Sequence, residues 1–175
     1  PINIYGLSKR GGEVNVLKEL PQNSSILRTS AVYSSNGKNF VNTMLELMST
    51  RNRLSVIDDQ IISPTSTNSL ADVILSITQK LVKGTAKKIY HWNDGGILSW
   101  FDFAIEIQKE ALSLGLITRH IPIDRVSSRD YESVAQRPAY SVMDRRETLA
   151  DFACPEESWQ KQLSIVLREK IGNTI

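Results

Sequence analysis

The sequence predicts an α/β fold. Short apolar runs of strand length, at residues 25–32, 54–57 and 89–92, alternate with longer stretches whose apolar residues recur at helical spacing. Asn, Gly, Ser and Pro separate the two kinds of segment, as turn residues do. At 175 residues, with 41% hydrophobic and 23% charged, the chain is long enough for a real core and ordinary in composition for a globular protein.

Each element follows from local signals. Val14, Leu17 and Leu20 lie on one helical face, and Pro21 ends that first helix. Residues 25–32 (Ser-Ile-Leu-Arg-Thr-Ser-Ala-Val) are mostly apolar and bounded by polar turns, which predicts a buried parallel strand. After the turn Asn36-Gly37-Lys38-Asn39, the residues Phe40, Val41, Met44, Leu45 and Met48 define a second, amphipathic helix. A strand at 54–57 leads through Asp58-Asp59-Gln60 into a loop stiffened by Pro64.

Leu70, Val73, Ile74, Ile77 and Leu81 predict a third helix, with Asn68 or Ser69 as cap and Gly84 as stop. The strand at 89–92 ends in Asn93-Asp94-Gly95-Gly96. Ser99-Trp100-Phe101-Asp102 has the form of a capping box, opening a fourth helix toward Gly115. Ile121-Pro122-Ile123 reads as a short edge strand, residues 124–141 show no sustained period, and a last helix at about 157–170 places Leu163, Val166 and Leu167 on one face.

Several function classes are excluded. A formal charge of +2, without a dense basic run, argues against a nucleic-acid partner. Cys154 is the sole cysteine, so neither an intrachain disulfide nor a cysteine metal cage is expected, and a reducing, cytoplasmic setting is. No apolar stretch reaches the roughly 20 residues that cross a bilayer, and no signal segment opens the chain. The opening Pro1-Ile2-Asn3-Ile4-Tyr5 reads as the middle of a fold, which predicts a fragment.

The chemistry-bearing pair is Tyr5 and Lys9, four residues apart and so one turn apart on the same helical face. An ammonium beside a phenol favours the phenolate, which suits such a tyrosine to hand a proton to a carbonyl oxygen. Tyr-x-x-x-Lys alone is a weak motif that chance supplies often, and taken alone it is better read as an ordinary surface pair at a helix start. His91 reads as a core or turn residue, Trp92, Trp100 and Phe103 as core, and Arg145-Arg146 as a solvated helix face. Asp58 and Asp59, adjacent on a strand, point to opposite faces and make no metal site. Arg28 inside an apolar strand demands a buried partner.

The order of segments resembles one family. Tyr5-Gly6-Leu7-Ser8-Lys9-Arg10-Gly11-Gly12-Glu13 is similar to the Tyr-Gly-x-x-Lys-x-x-Gly-Glu of dTDP-4-dehydrorhamnose reductases, of the extended short-chain dehydrogenase type. Leu27-Arg28-Thr29-Ser30-x-Val32-Tyr33, Asn39-Phe40-Val41-x-Thr43-Met44-Leu45 and Asp59-Gln60-x-x-x-Pro64-Thr65 follow in that family's order. Then come Tyr90-His91, Ser99-Trp100-Phe101-Asp102-Phe103-Ala104 and Arg137-Pro138-Ala139-x-Ser141, so that the resemblance covers residues 5 to about 144.

The resemblance implies the last part of a Rossmann-like parallel sheet joined to a smaller α/β substrate-binding domain. Residues 1–60 would be the remainder of the dinucleotide-binding domain and 61–175 mainly the substrate domain, the two interleaved. It implies reduction of dTDP-4-dehydro-L-rhamnose to dTDP-L-rhamnose by NADPH or NADH; Mg2+, used by some members, is not indicated by these residues. Tyr5 would donate the proton, Lys9 would hold the nicotinamide ribose and tune Tyr5, and Thr29 and Ser30 would lie near the nicotinamide. Gln60, Pro64, Thr65 and Arg137 would line the sugar-nucleotide side, and Ala31 stands where the family usually has a tryptophan packed on the sugar.

The family's Gly-rich phosphate turn, and the Ser or Thr that orients the substrate carbonyl, lie upstream of its tyrosine, so the chain by itself is not expected to turn over. The partners implied are a dTDP-sugar and, compatibly, a second copy in a homodimer. Two alternatives remain open at this point. One is a sugar-nucleotide epimerase or other ketoreductase; the other is a non-catalytic subunit resembling the regulatory subunit of methionine adenosyltransferase.

Overall fold

The computed structural model describes residues 1–131, 136–152 and 157–172, so Cys154 lies outside the described residues. The chain opens with helix α1 (Ile4–Glu19), capped by the Asn3 side chain, which accepts from Gly6 N at 2.8 Å. Strands β1 (Ile26–Thr29) and β2 (Val32–Tyr33) follow, then α2 (Phe40–Thr50), β3 (Leu54–Ile57), β4 (Ile61–Ile62), β5 (Thr65–Ser66) and α3 (Thr67–Val82). The remainder is β6 (Ile89–Trp92), β7 (Leu98–Ser99), α4 (Trp100–Ser113), β8 (Ile123–Val126), α5 (Arg146–Asp151) and α6 (Trp159–Gly172). None of the described helices is long and apolar enough to cross a membrane.

The strands pair mainly in parallel, as the α/β reading requires. β1 runs beside β6 in the register Ile26↔Ile89 to Thr29↔Trp92, β3 beside β8 from Leu54↔Ile123, and β2 beside β5. Among the described residues only β4 and β7 pair antiparallel. Parallel neighbours need long crossovers, and α3 supplies the one that brings β6 back beside β1.

Two apolar clusters organise these pairs. The larger joins α2, β3, α4 and α6 through residues such as Met48, Val56, Phe103, Ile107, Leu163 and Leu167. The smaller joins α3 to β6 through Val73, Ile77, Tyr90 and Trp92, with Phe152 closing it and Leu27 of β1 against it. Full burial of such side chains contributes on the order of 1.5–3 kcal/mol each. The clusters cut across residue 60: β1 and β6 share one, while α2 between them in sequence belongs to the other. Helix α1 stands apart, with no residue buried and Ile4, Leu7 and Val14 exposed.

Four local expectations change. The strand expected over 25–32 is broken in two because Ala31 takes a positive φ of 46°, the left-handed region that interrupts a ladder. The cap of α3 is Ser66, whose hydroxyl accepts from Ser69 N at 3.2 Å, rather than Asn68 or Ser69. The edge strand expected at 121–123 lies further on, as β8, where it finds β3; Ile121 is instead buried in the core. The short α5 falls on the pair expected to form a solvated face, and Arg145 does not belong to such a face. Its Nη1 donates to Asn93 O at 3.1 Å and its guanidinium lies 5.4 Å from the Trp92 ring centre, whereas Arg146 is exposed and paired with Asp144. The Ser99–Asp102 capping box of α4 forms as expected, each residue's side chain accepting from the other's backbone N–H.

Candidate functional site

Helix α1 presents Tyr5 and Lys9 one turn apart, with Tyr5 70% exposed and the Lys9 Nζ 5.5 Å from its ring centre. Among the described residues, the phenol and the ammonium hold no hydrogen bond or ion pair. Below them on α1, Glu13 meets the arginine that the apolar strand could not accommodate alone. Arg28 Nε donates to Glu13 Oε1 at 2.7 Å and Nη2 to Oε2 at 2.7 Å, a two-pronged bond across to β1. The Arg28 hydrogen bonds, working against partial burial, hold the Glu13 carboxyl down at about 2.

The carboxyl end of β1 is stitched to the rest by hydroxyls. Thr29 Oγ1 donates to Thr65 Oγ1 at 2.9 Å, Thr65 Oγ1 donates to Ser30 O at 2.7 Å, and the Ser30 and Ser141 hydroxyls are 3.2 Å apart. Thr65 N donates to Ala31 O at 3.2 Å. The chain therefore turns through Ala31 with its left-handed backbone held on both sides.

Two adjoining cavities open beyond this seam. One, of about 240 Å³, lies between α2, β3 and the start of α4 and includes Phe40, Met44 and Trp100 in its wall. The other, of about 660 Å³, is bordered by Ile2 and by the segment from Gln136 to Tyr140. Ile57, Gln60, Tyr131 and Arg137 belong to both walls. Gln60 is only 7% exposed, Arg137 is exposed, and Asn3 Nδ2 donates to Gln136 O at 2.8 Å, tying the start of α1 to the rim. The cleft thus reaches to within three residues of Tyr5, through Ile2.

The acidic pair behind the cleft is engaged elsewhere. Asp58 accepts from Ser99 Oγ and from Arg125 Nη1, each at 2.7 Å, while Asp59 accepts from the Ser128 backbone N–H and from the Ser127 and Ser128 hydroxyls. Among the described residues, no group of three or more His, Cys, Asp or Glu side chains is arranged to hold a metal ion.

Over residues 1–171 the chain matches the family described as the RmlD substrate binding domain. It is 37% identical to a dTDP-4-dehydrorhamnose reductase of Aggregatibacter actinomycetemcomitans across 93% of its own length. The chain belongs to the dTDP-4-dehydrorhamnose reductase family. It is also 38% identical, over 97% of its length, to the Bacillus subtilis spore coat polysaccharide biosynthesis protein SpsK. A crystal structure of dTDP-4-dehydrorhamnose reductase from Bacillus anthracis, in complex with NADP, superposes with a TM-score of 0.83 at 34% identity and 97% coverage. In each case the chain spans about 56% of the relative's length.

Within this reductase-family chain the residues singled out from sequence fall into groups. Tyr5 and Lys9 come together on α1; Gln60 and Arg137 come together at the cleft. Thr29 and Ser30 lie at the end of β1, but their hydroxyls are spent on Thr65 and Ser141. Pro64 and Thr65 are buried behind that seam and belong to neither cavity wall; Pro64 O accepts from Asp94 N at 3.0 Å. Ala31 packs against the larger core at the strand break.

Sequence reasoning missed Tyr131 as a wall of both cavities, because an aromatic in an aperiodic segment carries no local signal. It also passed over Asp94, read as a turn residue. Asp94 is buried, and burial, opposed by the Ser69 and Ser66 hydrogen bonds, pushes its carboxyl up to about 6. His91 sits within β6 with its Nε2 buried and without a hydrogen-bond partner among the described residues.

Proposed function

We propose that the full-length protein carrying this chain reduces dTDP-4-dehydro-L-rhamnose to dTDP-L-rhamnose with NADPH or NADH. The observation that carries this reading is the pairing of Tyr5 and Lys9 on α1, with both polar ends uncommitted among the described residues, on a helix preceded by Ile2, which borders a cleft rimmed by Arg137. Membership of the reductase family supports the reaction class.

The donor set suits a nicotinamide nucleotide. A lysine ammonium offers three donors to vicinal ribose hydroxyls, and a phenol beside it can reach the same region. When bound, the nicotinamide supplies the hydride. Tyr5 gives its proton to the sugar's C4 oxygen as that oxygen gains charge, and Lys9 orients the ribose. Because the Thr29 and Ser30 hydroxyls are engaged, their contribution is a rigid backbone wall at the strand end.

On the substrate side, Gln60 offers an amide inside the cleft and Arg137 a guanidinium suited to the diphosphate. Pro64 and Thr65 act from behind by fixing the loop that carries Gln60. Ala31 offers no aromatic ring, which favours a sugar seated without an aromatic platform at that position. The smaller cluster around α3 and β6, with β1, is the remainder of the dinucleotide-binding unit, and the larger cluster is the substrate-binding unit.

The test is nicotinamide absorbance with the full-length protein, NADPH and dTDP-4-dehydro-L-rhamnose. Turnover that is abolished by Tyr5→Phe supports the reading. A folded, NADPH-binding wild type that leaves this sugar unreduced sinks it.

A further inference from the structure

Tyr5, Lys9 and Glu13 succeed one another at four-residue intervals on α1. Each therefore lies about 40° further round the helix than the last, and each is a neighbour of the next. Lys9 stands midway, one turn from a phenol and one turn from a carboxylate. An ammonium in that position has two partners to choose from, and its choice decides whether it serves Tyr5. The structure has it with Tyr5, Nζ being 5.5 Å from the ring centre.

The carboxylate is taken by another element. Arg28 fills both Glu13 oxygens at 2.7 Å each, whereas Arg10, from the same helix, adds one bond to Oε2 at 3.2 Å through a side chain that is 53% exposed. The Glu13 side chain is only 15% exposed, and a carboxylate so shielded needs a close cation. Take Arg28 away and Oε1 is left without a partner, one helical turn from Lys9. Arg28 also stands next to Thr29, so the same guanidinium joins the helix bearing the reacting phenol to the strand end beside the cofactor.

We propose that Arg28 is a positioning residue: by saturating Glu13 it leaves the Lys9 ammonium to Tyr5 and the cofactor ribose. This rests on the reading that Tyr5 and Lys9 act on substrate and cofactor. It separates two kinds of salt bridge. A strut between α1 and β1 is lost equally from either end, whereas a saturating partner is harmful to lose only while the carboxylate remains.

The experiment uses the full-length protein with Arg28→Gln, Glu13→Gln and the double variant. NADPH affinity is read by fluorescence titration, kcat and KM by nicotinamide absorbance, and folding by melting temperature. The exposure of Lys9 to an amine-reactive ester is read by peptide mass spectrometry. Arg28→Gln is expected to weaken NADPH binding and lower kcat by about three- to tenfold, with the sugar-nucleotide KM little changed. It should also slow Lys9 labelling relative to the other lysines. Adding Glu13→Gln should restore most of each loss, although the α1–β1 tie stays broken and the melting temperature stays low.

If the double variant is as impaired as Arg28→Gln, or Glu13→Gln alone is equally harmful, Arg28 is a strut and the proposal fails. Should Arg28→Gln not fold, Arg28→Lys, which keeps a cation with a single-point grip, replaces it with and without Glu13→Gln under the same criteria. A wild type that turns over no 4-keto sugar nucleotide defeats the functional reading alone, because Lys9 labelling still decides the role of Arg28.

Discussion

Asp94, just past the end of β6, accepts the backbone N–H of Ser66 at 2.8 Å and also the Ser69 hydroxyl, so a buried carboxylate closes the N-terminus of α3. Its carboxyl is pushed up to about 6 by burial, from an ordinary value of 3.8. The folded state therefore binds this proton more tightly than the unfolded chain. The stabilisation is full below 3.8 and is lost as pH rises through 6. Asp94→Asn should flatten that part of the stability profile by on the order of 1–3 kcal/mol, measured by urea denaturation across the window. An unchanged slope would show that the carboxylate is not the group responsible.

Glu13 has the opposite sign. Its carboxyl is held at about 2 against 4.5, chiefly by Arg28, so its contribution is present above 4.5 and is lost as pH falls through 2. Glu13→Gln should remove this acid-side loss, and denaturation midpoints between those limits would read it.

Replacing Tyr5 by Phe removes a proton donor that has no hydrogen-bonded role among the described residues. In the full-length protein we expect kcat to fall by about a hundredfold to ten-thousandfold with NADPH affinity and melting temperature retained. A matching loss of folding would assign Tyr5 a structural role instead.

Arg137→Ala should act on binding. The guanidinium borders both cavities from an exposed position, so its loss should raise the sugar-nucleotide KM by about tenfold or more while kcat changes little. A KM unchanged within error would take Arg137 out of the substrate site.

Thr65→Val keeps the shape of a fully buried side chain but deletes the hydroxyl that donates to Ser30 O and accepts from Thr29. Leaving that carbonyl without its donor should cost about 1–3 kcal/mol, seen as a lowered denaturation midpoint. Retention of full stability would mean that the seam is held by Ser141 and the backbone alone.

Much of the architecture was legible because its causes are local. The Ser99–Asp102 box, the stop at Pro21 and the apolar stripe of α2 are each written within a turn or two of helix, and they form where expected. The juxtaposition of Tyr5 and Lys9 was legible for the same reason: four residues of helix bring them together whatever else the chain does. Arg28 announced a need for a partner, since a guanidinium in an apolar strand cannot stay unpaired, but nothing local names Glu13 as that partner.

What tertiary structure decided is everything that joins distant segments. The break at Ala31 is imposed by Thr65, whose backbone and side chain grip the neighbouring carbonyls, and an alanine gives no sign of a left-handed turn. Ser66 caps α3, in place of the residues two and three positions on, where β5 enters the helix and Asp94 meets its first turn. The cleft draws Ile2, Gln60, and the pair Tyr131 and Arg137 from three separate stretches. Sequence by itself determined the longer helices, the strands at 54–57 and 89–92 and the juxtaposition of Tyr5 and Lys9, because those follow from spacing along one backbone; the cavity, the strand break and the partner of Arg28 depend on which surfaces the folded chain brings into contact.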